Sequence, residues 1–200
     1  MAKLKGWNPE IKRQKILDAA VEILNQKEYY KSPISEIARK AGVAKGTIYL
    51  YFKSKEELYF SIIFMLLDKV RDMADEIQKK SISANQKLLL FLKKHSDFIG
   101  RYRNIFLTVR QNLKPEEKKC QHEMHLKFGE LLNIIVKIID EGIKKGEFKN
   151  YPSSSLAMLY LSFMFVNMHQ KVDMHNKNKM MQIEITPQFI WNVFLRGIAK

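Results

Sequence analysis

The sequence predicts an all-α protein of about nine helices, in which a small N-terminal helix-turn-helix domain, residues 1–55, is joined to a larger helical bundle, residues 56–200. Three observations carry this reading. Apolar residues recur at the 3.6-residue spacing of an amphipathic helix along nearly the whole chain, and the strictly alternating runs of half-buried strands are missing. Breaks rich in Ser, Gly and Pro separate the periodic segments. Positive charge is concentrated at one end: the first 55 residues hold twelve Lys and Arg against five acids, half of the net charge of +14. Such an excess favours a polyanionic partner and acts on association rather than on fold. The 200 residues, 46% of them hydrophobic, suffice for a core.

The elements follow in order. Ile16, Ala19, Ala20, Ile23 and Leu24 make one stripe on a helix over 9–26, with Pro9 in its first turn. In "KSPISEIARKAG" Ser32 is the expected N-cap and Pro33 the first helical residue. Ile34, Ile37, Ala38 and Ala41 share a face before Gly42 stops the helix. "KGTIYLYF" forms a third short helix with Ile48 and Phe52 inward, and "SKEE" at 54–57 is a capping box opening a long helix to about Lys79. Leu58, Ile62, Leu66, Met73 and Ile77 line one side of that helix. Residues 85–112, 115–145, 152–171 and 184–199 read as further helices. The uncharged stretch Tyr151–Gln170 has a solidly apolar heart of only Leu156–Val166, short of the roughly 20 residues that a membrane span needs, so it is expected as a buried helix and no membrane partner is expected.

The chemistry lies between Ala38 and Phe52. Alanine at 38 lets a following helix cross closely, and glycine at 42 accepts the left-handed conformation that turns the chain within a few residues. This is helix-turn-helix geometry. With Ile48 and Phe52 buried, the second helix exposes Lys45, Thr47, Tyr49 and Tyr51. Such a helix fits the major groove of B-DNA, where lysine donates to guanine, threonine offers a hydroxyl and a methyl, and tyrosine reaches a phosphate or a thymine methyl. Gly46 admits a close phosphate, and Lys55 stands at the positive end of the long helix.

The segment "SPISEIARKAGVAKGTIYLYFKSKEEL" strongly resembles the N-terminal domain of the tetracycline-repressor (TetR) family of transcriptional regulators. The resemblance spans about residues 11–60, with a weaker echo in "IIDEGIKKGEF" at Ile138–Phe148. It implies that Lys45, Gly46, Thr47 and Tyr51 read bases and phosphates, that Tyr49 and Lys55 hold phosphates, and that Ser35 touches DNA. Two residues depart from the family pattern: Ala44 stands where a capping serine is usual, and Glu28 replaces a glycine. The C-terminal region, by the same resemblance, dimerises and holds a small-molecule pocket.

The C-terminal residues themselves point the same way. Leu156, Leu159, Phe189, Ile190, Val193, Phe194 and Ile198 carry more apolar surface than one two-helix contact needs, which a homodimer would absorb. Phe98, Tyr102, Phe106, Met124, Phe128, Tyr160, Phe163 and Met164 are candidates for an apolar effector pocket, with Asn167 or His169 as polar anchors. Cys120, His122 and His125 read as a solvated helix start rather than a metal site. The single cysteine excludes an intramolecular disulfide and fits a reducing cytoplasm, and the N-terminus lacks the apolar region of a signal peptide. No catalytic set or phosphate-binding loop emerges, so neither enzyme activity nor a cofactor is expected. The function read from the sequence is a homodimeric transcriptional repressor, released from a palindromic double-stranded DNA operator by a small apolar or amphipathic effector. The alternative is an effector-independent, architectural DNA-binding protein.

Overall fold

The computed structural model describes residues 8–27, 31–106, 118–173 and 186–199, with the backbone alone for 118, 119 and 166–173. Glu28, one of the two departures, lies outside the described residues, as do the side chains of Asn167 and His169. Among the described residues the regular structure is helical, apart from one antiparallel bridge between Phe148 and Ala199. The all-α class is therefore as the sequence predicts. The chain packs as two compact units, one of residues 1–65 with 104–114 and the other of residues 66–103 with 115–200. This compact division differs from the functional one expected after residue 55, because the first turns of the long helix pack with the N-terminal helices.

In the first unit, α1 (Pro9–Gln26) is opened by the Asn8 side chain, which accepts from the Glu10 amide at 3.0 Å. It buries Ile16, Leu17, Ala19, Ala20, Ile23 and Leu24. α2 (Ile34–Ala41) has eight residues and α3 (Lys45–Tyr51) seven, too few to persist alone. Both are held by tertiary burial of Ile34, Ile37, Ala38 and Ile48, each large aliphatic contributing about 1.5–3 kcal/mol over its exposed state. The start of α2 corrects the sequence reading. Pro33, with extended backbone at ψ 146°, occupies the cap position without a side-chain bond, and Ser32 is fully buried one residue earlier. α4 (Lys55–Gln78) buries Leu58, Tyr59, Ile62 and Ile63 within this unit. The Tyr59 hydroxyl donates to the Ile105 carbonyl at 2.6 Å, and the Asn104 amide nitrogen donates to the Asn25 carbonyl at 2.6 Å. These two bonds draw residues 104–106 onto the N-terminal helices.

The second unit is a bundle of the end of α4 with α5 (Ala84–Arg101), α6 (Lys118–Lys144), α7 (Ser153–Asp173) and α8 (Pro187–Ile198). Ser83 caps α5 through a reciprocal capping box with Gln86, and Thr186 caps α8. The helix expected over 85–112 is interrupted at Tyr102, which leaves helical geometry after Arg101, and residues 103–106 are helical again. One continuous core runs from Val70 and Ala74 through Leu88, Phe91, Ile135, Ile138 and Tyr160 to Trp191 and Phe194. Tyr160 is buried, its hydroxyl donating to the Leu88 carbonyl at 2.6 Å, and burial pushes its phenol well above the usual tyrosine range. After α6 the chain turns at Gly146 (φ 74°), and the Lys149 amide donates to the Ile198 carbonyl at 2.7 Å, clasping the C-terminal helix.

Candidate nucleic-acid interface

The turn is built as the spacing requires. Gly42 sits at φ 68°, ψ 35°, a left-handed conformation that other residues adopt only under strain. Its N–H donates to the carbonyls of Ala38 and Arg39, and the Val43 amide to the Ala38 carbonyl at 3.0 Å, which closes α2. α3 begins two residues later from Ala44, which supplies no side-chain cap. Its carbonyl accepts from the Thr47 amide at 2.9 Å, so the first turn is held by backbone alone.

Ile48 and Phe52 anchor α3 at 1% exposure each, and the Arg13 guanidinium of α1 lies 5.3 Å from the centre of the Phe52 ring. With that face fixed, the opposite face is dictated by the helical period. Lys45, Gly46, Tyr49 and Leu50 are exposed, and Thr47 and Tyr51 are half-buried beside them. Nothing lies within 4 Å of where a Cβ on Gly46 would stand, so the helix backbone is open to approach there. Ser35 is exposed on α2. At the start of α4 the Ser54 hydroxyl accepts from the Glu57 amide at 3.1 Å, and the Glu57 carboxylate accepts from the Lys53 amide at 2.6 Å. The capping box thus closes one residue further back than the usual reciprocal bond. It orients Lys55 in the first turn, where partial burial holds its ammonium below the usual lysine range against the raising influence of Glu56. All seven DNA-contact candidates thus lie on α2, α3 or the start of α4. A seven-residue helix about 10 Å long, with this face outward, matches a major groove about 12 Å wide.

The model of the "Bacterial regulatory proteins, tetR family" matches residues 16–62, from mid-α1 into α4. A fatty acid metabolism regulator protein of Bacillus subtilis strain 168 is 34% identical over 138 residues, covering 69% of this chain and 71% of that protein. The chain belongs to the tetR family of bacterial transcriptional regulators. These relatives are regulators and not enzymes. The crystal structure of the transcriptional regulator FadR from Bacillus subtilis, in complex with stearoyl-CoA, superposes with a TM-score of 0.68 at 28% identity, over 92% of this chain and 95% of that one. A transcriptional regulator from Cytophaga hutchinsonii superposes with a TM-score of 0.77 at 22% identity, over 96% and 100%, which shows the shared fold.

In the regulator's C-terminal unit the candidate effector residues separate into two groups. Tyr160 and Met164 are committed to the core, whereas Phe98, Phe128 and Phe163 are only partly buried against it. Phe98 and Tyr102 have ring centroids 4.7 Å apart, and Phe128 lies 6.1 Å from Phe165. Met124 is half-buried on α6, and Phe106 belongs to the N-terminal unit. An open cavity of about 690 Å³ stands elsewhere, lined by Lys80, Ser81, Ile82, Ser83, Gln86, Glu141, Lys145 and Glu147, none of them a candidate. Of the dimer candidates, Leu159, Phe189 and Val193 are 47%, 56% and 48% exposed. Leu156, Ile190, Phe194 and Ile198 are instead buried in their own chain's core. Met158 and Phe165, which sequence reasoning passed over, are exposed on α7. His122 and His125 are exposed on α6, with His125 Nδ1 donating to the Gln121 carbonyl at 2.7 Å. Among the described residues no helix is long and apolar enough to cross a membrane.

Proposed function

We propose that this regulator binds a palindromic double-stranded DNA operator as a homodimer and is released from it by a long-chain acyl-CoA. The observation that carries the DNA half is the outward face of α3. Lys45, Gly46, Thr47, Tyr49 and Tyr51 share one short helix whose other side is sealed by Ile48, with Ser35 and Lys55 flanking it for phosphate. The effector half rests on the B. subtilis FadR bound to stearoyl-CoA. That ligand joins an apolar chain to anionic phosphates, the amphipathic class the sequence suggests. Partly buried Phe98, Phe128 and Phe163 supply apolar surface in the C-terminal unit, and the chain's +14 charge favours an anion. The homodimer reading rests on the exposed Leu159, Phe189 and Val193 of α7 and α8.

The test is selection of binding sites from a random-sequence duplex library. The enriched site is expected to be palindromic. With six to eight phosphates neutralised by the dimer, affinity for it should fall about 10³- to 10⁴-fold between 50 and 200 mM salt. Lys45→Ala and Tyr51→Ala should change the base preference, whereas Lys55→Ala should weaken all sequences alike. Failure to enrich any sequence, or a flat salt titration, would contradict the reading.

A further inference from the structure

Leu50 has no place in the contact set above, yet at 81% it is by a wide margin the most exposed large apolar side chain among the described residues. It lies on the exposed side of α3, between Tyr49 and Tyr51, and two residues along from Ile48, which is 1% exposed. Two steps of 100° put Leu50 almost opposite that anchor. A helical side chain leans over the turn before it, here Gly46 and Thr47. Gly46 carries no side chain and nothing lies within 4 Å of where its Cβ would stand, so nothing on that side covers the leucine, in keeping with its 81% exposure.

An exposed leucine does nothing for the stability of so short a helix that alanine would not do better. Its surroundings are cationic, with Lys45 and Lys53 exposed within five residues and twelve basic residues in the first 55. That setting suits a polyanion carrying an apolar spot. In the major groove the one apolar group on a base edge is the C5 methyl of thymine, which cytosine lacks.

We infer that Leu50 is a specificity-determining residue that reads a thymine methyl in each half-site. The inference rests on the DNA-binding reading above and deepens it. Leu50 makes no hydrogen bond and discriminates by burying the methyl, so it selects thymine over cytosine at one position, while Lys45 and Thr47 act at others.

The experiment takes the duplex enriched by the wild-type regulator and replaces thymine by deoxyuracil, one half-site position at a time, which removes the methyl and nothing else. At one position wild-type affinity should fall about fourfold for a single half-site and about fifteenfold for both, the worth of a buried methyl. Leu50→Ala should bind the thymine and uracil duplexes alike while still preferring the enriched site to random DNA. Leu50→Gln, which can pair with adenine, should enrich a different base there. Equal affinity of the wild-type protein for thymine and uracil at every position would overturn the inference and leave DNA binding intact. So would an unchanged uracil penalty in Leu50→Ala, or a change in oligomeric state of that variant without DNA, which would place Leu50 between copies of the chain. If no duplex is enriched at all, the DNA-binding reading fails and takes the inference with it.

Discussion

At the scale of single residues, the bundle depends on a glycine whose need is spatial. A Cβ on Gly142 would meet the Phe148 ring at 2.3 Å and the Ala84 methyl at 2.9 Å, whereas one on Gly129, also within α6, would meet nothing within 4 Å. Gly142→Ala should therefore overpack the site and cost about 1–3 kcal/mol. Gly129→Ala should instead stabilise the helix by about 0.5–1 kcal/mol, and urea denaturation of both variants checks the contrast. The segment around Gly142 was visible in the sequence only as a family echo, because the ring it accommodates is placed by a turn that no periodicity reveals. The Lys87 to Glu141 pair was hidden in the same way. Lys87 is 4% exposed and its ammonium bonds the Glu141 carboxylate at 2.7 Å. Bonds from Lys145 and then Lys87 hold that carboxylate below the usual glutamate range. A depressed carboxylate stabilises the fold above its unfolded pKa of about 4.5 and loses that contribution as pH falls below it. Glu141→Gln strands the buried ammonium and should cost about 3 kcal/mol at pH 7, with Lys87→Met milder. In a denaturation series the gap between wild type and Glu141→Gln should close below pH 4.5.

At the scale of elements, periodicity located the helices because burial follows it: α1 runs over the predicted 9–26, and Leu58, Ile62 and Leu66 of α4 are buried as expected. It failed where side chains bond across the chain. The break at Tyr102 separates a regular apolar pattern from Asn104, whose bond to the Asn25 carbonyl is 79 residues distant in sequence. Periodicity also cannot tell the two apolar faces of α7 and α8 apart when both are apolar. The core takes Leu156, Phe194 and Ile198, and Leu159, Phe189 and Val193 are left outside. This division predicts different outcomes for neighbouring substitutions. Val193→Glu should leave a folded chain that sediments as a monomer at micromolar concentration. Phe194→Glu buries an unpaired carboxylate and should lose cooperative unfolding altogether. A folded but dimeric Val193→Glu would show that the contact between copies lies elsewhere.

At the scale of the whole molecule, the DNA-binding half was legible because its motif is short and local: a glycine turn, an alanine crossing and a capping box, all within 38–57. The C-terminal half was not, because aromatic residues at helical spacing serve a packed core and a ligand pocket equally well, and Tyr160 is buried in the core. Under the proposed release by acyl-CoA, regulation is bound by linkage. An effector can shift DNA binding only by its differential affinity for the free and DNA-bound states, and DNA must shift effector binding by the same factor. The most direct measurement is therefore the affinity of the regulator for its enriched duplex, titrated with stearoyl-CoA below its micelle concentration and with coenzyme A as control. Stearoyl-CoA should weaken duplex binding roughly tenfold or more, the duplex should weaken stearoyl-CoA binding equally, and coenzyme A should do neither. Equal duplex affinity with and without saturating stearoyl-CoA would contradict release by acyl-CoA.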